Sequence, residues 1–154
     1  MPILNLDAGE HDEEPEELWA LADVLAVACG GHAGDARSMD RIAAFCAARG
    51  QLRIGAHPSY PDREGFGRRA MTIDPATLAR SLDEQVAALA AIAHAHGVSI
   101  GWVKPHGALY HDAAKDRALA ELVIAAAGNA AIIGPPQGAL RDSGLLTRDS
   151  RMKE

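Results

Sequence analysis

The chain has 154 residues, of which 48% are hydrophobic, 23% charged and 4% aromatic. This length predicts one domain with one core, and it falls short of the roughly 200–250 residues of a complete (β/α)₈ barrel. No segment approaches the ~20 apolar residues of a membrane span, and the first residues lack the pattern of a secretory signal. The formal net charge of -6 argues against nucleic acid as a partner. We therefore expect a cytoplasmic globular domain, and its two cysteines fit that reducing compartment.

Short apolar segments alternate with helical patterns from the start of the chain to about residue 140. Five segments have the length and apolar character of parallel strands that are buried on both faces. They cover residues 3–6, 24–28, 52–56, 98–103 and 130–133. An acidic run at 10–17 predicts the solvated start of a first helix, because carboxylates suit a helix amino terminus.

Three further helices are predicted from apolar residues that recur at intervals of three and four. The second helix runs from about Met39 to Gly50, the third begins after the N-cap residue Asp74, and the fourth spans about 119–127. This alternation of strands and helices predicts an α/β fold with a parallel sheet and right-handed crossovers.

Polar side chains follow the first four predicted strands at the point where each strand ends. They are Asp7, His32, His57 and the neighbours Lys104 and His106. The carboxyl ends of parallel strands meet at one edge of the sheet, where α/β proteins bind their ligands. We therefore expect these side chains to form one shared site.

Two chemistries are open to this set of residues. Asp7, His32 and His57 could hold a divalent metal and leave one position for water. The same groups could work without a metal, as acid and base catalysts around a bound substrate. Lys104 supplies a cation for a developing oxyanion or for a substrate carboxylate.

Other polar residues have structural interpretations beside the functional ones. Arg68 and Arg69 lie beside glycines in a long connection, which suits capture of a carboxylate or phosphate, although a solvated surface pair fits equally well. Cys29 is interpreted as a packing residue rather than a nucleophile. His94 and His96 lie at the end of a helix, where positive charge is favourable, and are interpreted as structural.

Five motifs, in order along the chain, carry a resemblance to a known family. They are the segments Leu4–Glu10, Ala28–Asp35, Ile54–Pro58, Gly65–Arg69 and Val103–Tyr110. Each motif alone is modest, but five at suitable spacing resemble the LamB/YcsF family, which is also known as the family of 5-oxoprolinase A subunits. The resemblance extends from about residue 3 to about residue 140.

The resemblance implies a fold and an activity. The fold is a parallel-stranded, TIM-like (β/α) barrel of the glycoside hydrolase/deacetylase type, seven-stranded in the family and partial here, with about five βα units. We assign residues 1–140 to this barrel and residues 141–154 to a polar carboxy-terminal tail. The implied activity is ATP-dependent hydrolysis of 5-oxoproline to glutamate, performed together with separate B and C subunits.

The resemblance also implies roles for residues within or beside the five motifs. Asp7, His32 and His57 would manage water and protons during catalysis. Lys104 and His106 would stabilise negative charge. Substrate binding would fall to seven polar residues: Asn5, Glu10, Asp35, Tyr60, Arg68, Arg69 and Tyr110.

Two departures from the family pattern leave other functions open. Glu10 is followed by His11 rather than by a glycine-rich stretch, and no counterpart of the later βα units follows Leu140. One alternative is a metal-dependent deacetylase or amidohydrolase that needs no ATP, and another is a shortened binding subunit without turnover. A partial barrel leaves unpaired strand edges, so we also expect self-association.

Overall fold

The computed structural model describes residues 3–142, which fold around one parallel sheet. The sheet contains five strands in chain order: β1 Asn5–Ala8, β2 Val24–Ala28, β3 Arg53–His57, β4 Ile100–Val103 and β5 Ala131–Ile132. All neighbouring strands are parallel, so the chain must return to the same end of the sheet after each strand. The predicted α/β class and all five predicted strands are confirmed.

Six helices connect or follow these strands in the described residues. They are α1 Glu16–Trp19, α2 Ala36–Arg49, α3 Pro75–Ala95, α4 Gly107–Lys115, α5 Arg117–Ala127 and α6 Ala139–Asp142. The side chain of Asp74 accepts a hydrogen bond from the Thr77 backbone N–H at 2.9 Å and caps α3, as predicted. The assigned boundary at residue 140 falls within α6, and residues 143–154 of the assigned tail lie outside the described residues.

Strand β1 begins later than the sequence predicts. The Leu4 backbone N–H donates to the Asp23 carboxylate at 2.8 Å, and the Leu4 carbonyl accepts from the backbone N–H groups of Asp23 and Val24. These contacts hold the chain just before the strand. As a result Asp7 lies within β1 rather than after it.

One face of the sheet packs against the helices, and the other carries polar groups. Strand residues Leu25, Ile54 and Val103 belong to the hydrophobic core that also contains residues of α2 and α3. Because side chains alternate along a strand, the register places Asp7 and His57 on the opposite face. In the described part of the chain, no helix has the length and apolar character needed to cross a membrane.

Candidate functional site

Asp7 on β1 and Lys104 after β4 meet across the sheet face that points away from the helices. Nζ of Lys104 donates to Oδ1 of Asp7 at 2.6 Å. β1 and β4 are three strand spacings apart, which is about 14 Å in a flat sheet. The contact therefore shows that the sheet curls as a barrel wall does, and it puts both charges on the concave side.

His57 at the end of β3 and His106 just before α4 face each other in a buried position. Nδ1 of His57 lies 2.6 Å from the Lys104 carbonyl oxygen, and Nε2 of His106 lies 2.9 Å from the Phe66 carbonyl oxygen. A carbonyl oxygen can only accept, so both of these nitrogens carry hydrogen. The other two nitrogens, Nε2 of His57 and Nδ1 of His106, are 3.0 Å apart.

Glu10, which follows β1, brings a carboxylate to all three imidazoles. Its Oε1 accepts a hydrogen bond from Nε2 of His32 at 2.8 Å. The same oxygen lies 3.3 Å from Nδ1 of His106 and 3.7 Å from Nε2 of His57. The His32 ring stacks on the His106 ring with centroids 3.6 Å apart, and its buried Nδ1 has no hydrogen-bond partner among the described residues.

The two carboxylates of the site are ionised at neutral pH. Burial alone raises the pKa of Asp7, but its contacts with His57 and with the Lys104 ammonium outweigh this effect and lower the pKa to about 2. Burial also raises the pKa of Glu10, and its contacts with His106 and His32 overcome this effect and hold the pKa well below its usual value. Burial lowers the pKa of His32, which favours its neutral form.

The loop of residues 62–69, between β3 and α3, closes over the histidines. Phe66 contributes the carbonyl that binds His106, and its ring packs edge-on against His32 at 5.2 Å. Gly67 has φ +63°, and a Cβ there would lie 2.9 Å from the Cβ of His32. The close approach of this loop therefore depends on glycine at position 67.

Four of these residues could hold a metal ion. The ligand atoms of Glu10, His32, His57 and His106 all lie within 4.8 Å of one another, and a carboxylate with imidazoles is a donor set that zinc uses. The predicted set contained His32 and His57 but took Asp7 as its carboxylate. In the structure Glu10 occupies that place, while Asp7 pairs with Lys104 and has its second oxygen 3.5 Å from Nε2 of His57.

Comparison with known proteins places the whole described chain in one family. The sequence pattern of the LamB/YcsF family matches residues 4–142. The chain belongs to the LamB/YcsF family. It is similar to the 5-oxoprolinase A subunits of Chloroflexus aggregans, with 42% identity over 150 residues, and of Haemophilus influenzae, with 46% identity over 120 residues.

A solved structure supports the fold of this LamB/YcsF chain. The crystal structure of the lactam utilization protein from Thermus thermophilus superposes with a TM-score of 0.85 and 32% identity, over 94% of this chain and 63% of that one. This likeness and the curled parallel sheet confirm the TIM-like barrel type.

The matched region is only part of each relative. The alignments cover 92% of this chain and 59% of the Chloroflexus relative, and 78% of this chain and 49% of the Haemophilus relative. The chain thus spans about half to three fifths of the length of the curated relatives it matches.

Three of the predicted substrate-binding residues make structural hydrogen bonds. Nδ2 of Asn5 donates to a backbone carbonyl of β2 at 3.3 Å. Asp35 caps α2 by accepting from the Ser38 backbone N–H at 2.9 Å. Tyr60 is buried and donates to the Asp112 carboxylate at 3.0 Å.

The paired arginines have different surroundings. Nε of Arg69 donates to Oδ2 of Asp62 at 3.0 Å, and Nη2 makes a second short contact with Oδ1, so this guanidinium is held by a carboxylate. The Arg68 guanidinium lies 5.0 Å from the centroid of the Phe66 ring and pairs with no carboxylate among the described residues. Tyr110 is half-buried in α4, with its ring against His111.

Two residues that the sequence analysis did not select hold the loops of the site. The Glu14 carboxylate accepts hydrogen bonds from the three backbone N–H groups of residues 9–11, at 2.7, 2.7 and 3.0 Å. Gln85 is buried in α3 and bonds the backbone of Ser59 twice, at 3.0 and 2.9 Å. The sequence could have indicated Gln85, because it is a polar residue on the otherwise apolar stripe of α3. Nothing in the sequence distinguishes Glu14 from the other acidic residues around it.

Proposed function

We propose that this chain acts in the ATP-dependent hydrolysis of 5-oxoproline to glutamate, as the A component of a complex with separate B and C subunits. One observation carries the proposal. The Asp7–Lys104 ion pair lies beside the Glu10–histidine cluster, in a chain whose relatives are named as 5-oxoprolinase A subunits. The word subunit in those names supports a multi-subunit assembly.

The chemistry of the site suits the opening of a lactam. A lactam is a stable amide, so hydrolysis needs an activated carbonyl, a positioned water and a proton for the leaving nitrogen. ATP, as co-substrate, would supply the activation by phosphorylating the lactam oxygen. Asp7 and His57 would then take a proton from the attacking water and return one to the leaving nitrogen, which opens the ring and leaves an acyl phosphate. A second water would release the phosphate and give glutamate. The Lys104 ammonium would stabilise the negative charge of the phosphoryl group on the former carbonyl oxygen.

Arg68 is the better candidate for holding the carboxylate of 5-oxoproline or a transferred phosphate. Its neighbour Arg69 is already bound by Asp62, so a substrate would have to compete with that contact. An arginine fork binds a carboxylate or phosphate with two parallel hydrogen bonds, which fixes the orientation of the bound group.

A second candidate function is a metal-dependent amidohydrolase or deacetylase that acts on a small amide without ATP. The observation that favours it is the convergence of Glu10 with His32, His57 and His106. Such a set resembles the ligands of catalytic zinc sites, which keep one position for the attacking water.

The test is glutamate release from 5-oxoproline and ATP by the chain alone and with purified B and C subunits. We expect release only with all three subunits and ATP, and loss of release with His57→Ala. His94→Ala, at an exposed position on α3, is the matched control and should retain the activity. No release from the complete mixture would contradict the proposal, and ATP-independent hydrolysis of a small N-acyl amide by the chain alone would favour the second candidate.

A further inference from the structure

The arrangement of hydrogens on two buried histidines leaves a contact that needs a cation. Nδ1 of His57 and Nε2 of His106 each donate to a backbone carbonyl, so in the neutral rings the other nitrogens carry only lone pairs. Those two nitrogens are nevertheless 3.0 Å apart, in side chains that are almost wholly buried. Two lone pairs at this distance repel each other unless a proton or a metal ion lies between them.

A third acceptor, the Glu10 carboxylate, lies close to these two nitrogens. Oε1 of Glu10 lies 3.3 Å from Nδ1 of His106 and 3.7 Å from Nε2 of His57, which completes a triangle with sides of 3.0, 3.3 and 3.7 Å. Ligands about 2.1 Å from zinc in a tetrahedron are about 3.4 Å apart. The three atoms therefore match one face of a zinc coordination shell, whereas a single shared proton would serve only two of them.

His32 is placed to orient a ligand rather than to be one. Its ring is parallel to the His106 ring, at 1° and with centroids 3.6 Å apart. A nitrogen lone pair lies in the plane of its ring, so an ion in the plane of His106 is well outside the plane of His32. Nε2 of His32 instead donates to Oε1 of Glu10 at 2.8 Å, as partners of metal ligands do.

We propose that Glu10, His57 and His106 form a three-ligand site for a divalent transition metal of the zinc class, and that His32 orients Glu10. Glu10 and His32 also line a cleft of about 200 Å³, together with Phe66. Two backbone carbonyls, of Lys104 and Phe66, hold the two histidine ligands from outside. Metal binding stands on this geometry alone, whereas any part of the ion in lactam opening rests on the proposed function.

The experiment measures Zn²⁺ binding to the full chain after treatment with a chelator, by calorimetry and by metal analysis after dialysis. Co²⁺ replaces Zn²⁺ in a parallel titration, because its visible absorption reports tetrahedral coordination by nitrogen and oxygen. We expect one ion per chain, and a rise in the thermal unfolding temperature on Zn²⁺ addition.

Substitutions separate the ligands from their neighbours. Glu10→Gln and His106→Ala should weaken Zn²⁺ binding by more than about 100-fold, and His32→Ala by about 10- to 100-fold. Asp7→Asn should change it by less than about 10-fold, and His94→Ala, the exposed control, should not change it. Circular dichroism checks that each variant is folded, and Glu10→Gln keeps the shape of the side chain it replaces.

Either of two results would overturn the proposal. One is less than about 0.1 Zn²⁺ retained per chain by the folded, unsubstituted protein. The other is equal loss of binding in Asp7→Asn and Glu10→Gln, which would assign the ion to a site built on Asp7. Zn²⁺ binding without glutamate release by the complete complex would count against the proposed function and leave the metal site in place. Release by a demonstrably metal-free complex would support the proposed function and exclude a part for the ion in lactam opening.

Discussion

Lys104 serves the candidate site with two different groups. Its backbone carbonyl accepts from Nδ1 of His57 and sets the orientation of that ring, while its ammonium pairs with Asp7 across the concave face. A side-chain substitution removes the second function and keeps the first, because the backbone carbonyl is present in every residue. This separation makes Lys104 the most informative single residue for the proposed reaction.

We expect Lys104→Met to lower kcat for glutamate release by the complete complex by about 100- to 1,000-fold, which is the usual effect of losing one group that stabilises an oxyanion. The apolar stem of methionine retains much of the packing of lysine, so the fold should persist. The measurement is the steady-state rate with and without the substitution, with circular dichroism as the check on structure. Lys115→Met, at an exposed position in α4, is the control, and an equal loss of rate in the control would contradict the assigned role.

Both cysteines are packing residues in the structure, as the sequence analysis interpreted Cys29. Burial raises the pKa of the Cys29 thiol to about 12 and that of the Cys46 thiol to about 11. The thiolate is the form that reacts with alkylating agents. Since the ordinary value is 9.0, the thiolate fraction of Cys46 should fall by about 100-fold in the folded chain.

We therefore expect iodoacetamide at pH 8 to label both thiols at least about 100-fold more slowly in the folded chain than in denaturant. Mass spectrometry of timed samples gives the two rates for each cysteine. Rapid labelling of Cys29 under native conditions would contradict the packing interpretation and would favour a role for that thiol as a nucleophile.

At the scale of elements, hydrogen bonds join the loop 62–69 to the start of α4. The Gly67 carbonyl accepts from the backbone N–H of Ala108 at 2.9 Å, and the Phe66 carbonyl accepts from His106. A side chain at position 67 would push this loop away from His32 and His106. The loop thus couples the stability of the fold to the geometry of the histidine cluster.

We expect Gly67→Ala to lower the free energy of unfolding more than Gly50→Ala does. Both glycines have a positive φ near +60°, which costs about 1–2 kcal/mol for alanine, but only position 67 has neighbours within 4 Å. The difference between the two variants in free energy of unfolding therefore measures the cost of the close contact with the histidines. Urea unfolding measures both values, and equal destabilisation would show that the loop can move aside without cost.

The elements differ in how well their sequence predicts them. The strand 24–28 is predicted with the bounds that the structure has, since a short, wholly apolar run between polar residues has few alternatives. Helix α4 was not predicted, because its first residue is a glycine at φ +57° and His106 makes no side-chain capping bond. The contacts of loop 62–69 with its start are tertiary, and no local pattern encodes them.

At the scale of the molecule, the curled sheet has two edges within the described residues. β1 pairs only with β2, and β5 pairs only with β4. Exposed edges of parallel sheets offer unpaired backbone groups to other chains, and proteins normally cover them. Leu4, next to β1, is also 48% exposed.

We expect the chain by itself to self-associate, with a mass by light scattering of at least twice 16.2 kDa at micromolar concentration. Leu4→Lys should shift the population toward the monomer, because a charged side chain beside an edge strand opposes pairing. Leu21→Lys, at a position that is 66% exposed, is the control for added charge. A single species of 16.2 kDa at all concentrations would contradict the prediction.

Four properties are encoded in the amino-acid pattern: the α/β class, the order of strands and helices, the family motifs and the sheet edge at which the polar residues gather. These properties follow from apolar periodicity and from the rule that parallel strands end on one side. Which carboxylate joins all three histidines, in contrast, depends on contacts between distant parts of the folded chain. Asp7 lies in β1 and Glu10 follows it. The curl of the sheet brings Asp7 to Lys104, and the carbonyls of Lys104 and Phe66 orient His57 and His106. Glu10 thereby reaches all three imidazoles, whereas Asp7 reaches only Nε2 of His57, at 3.5 Å.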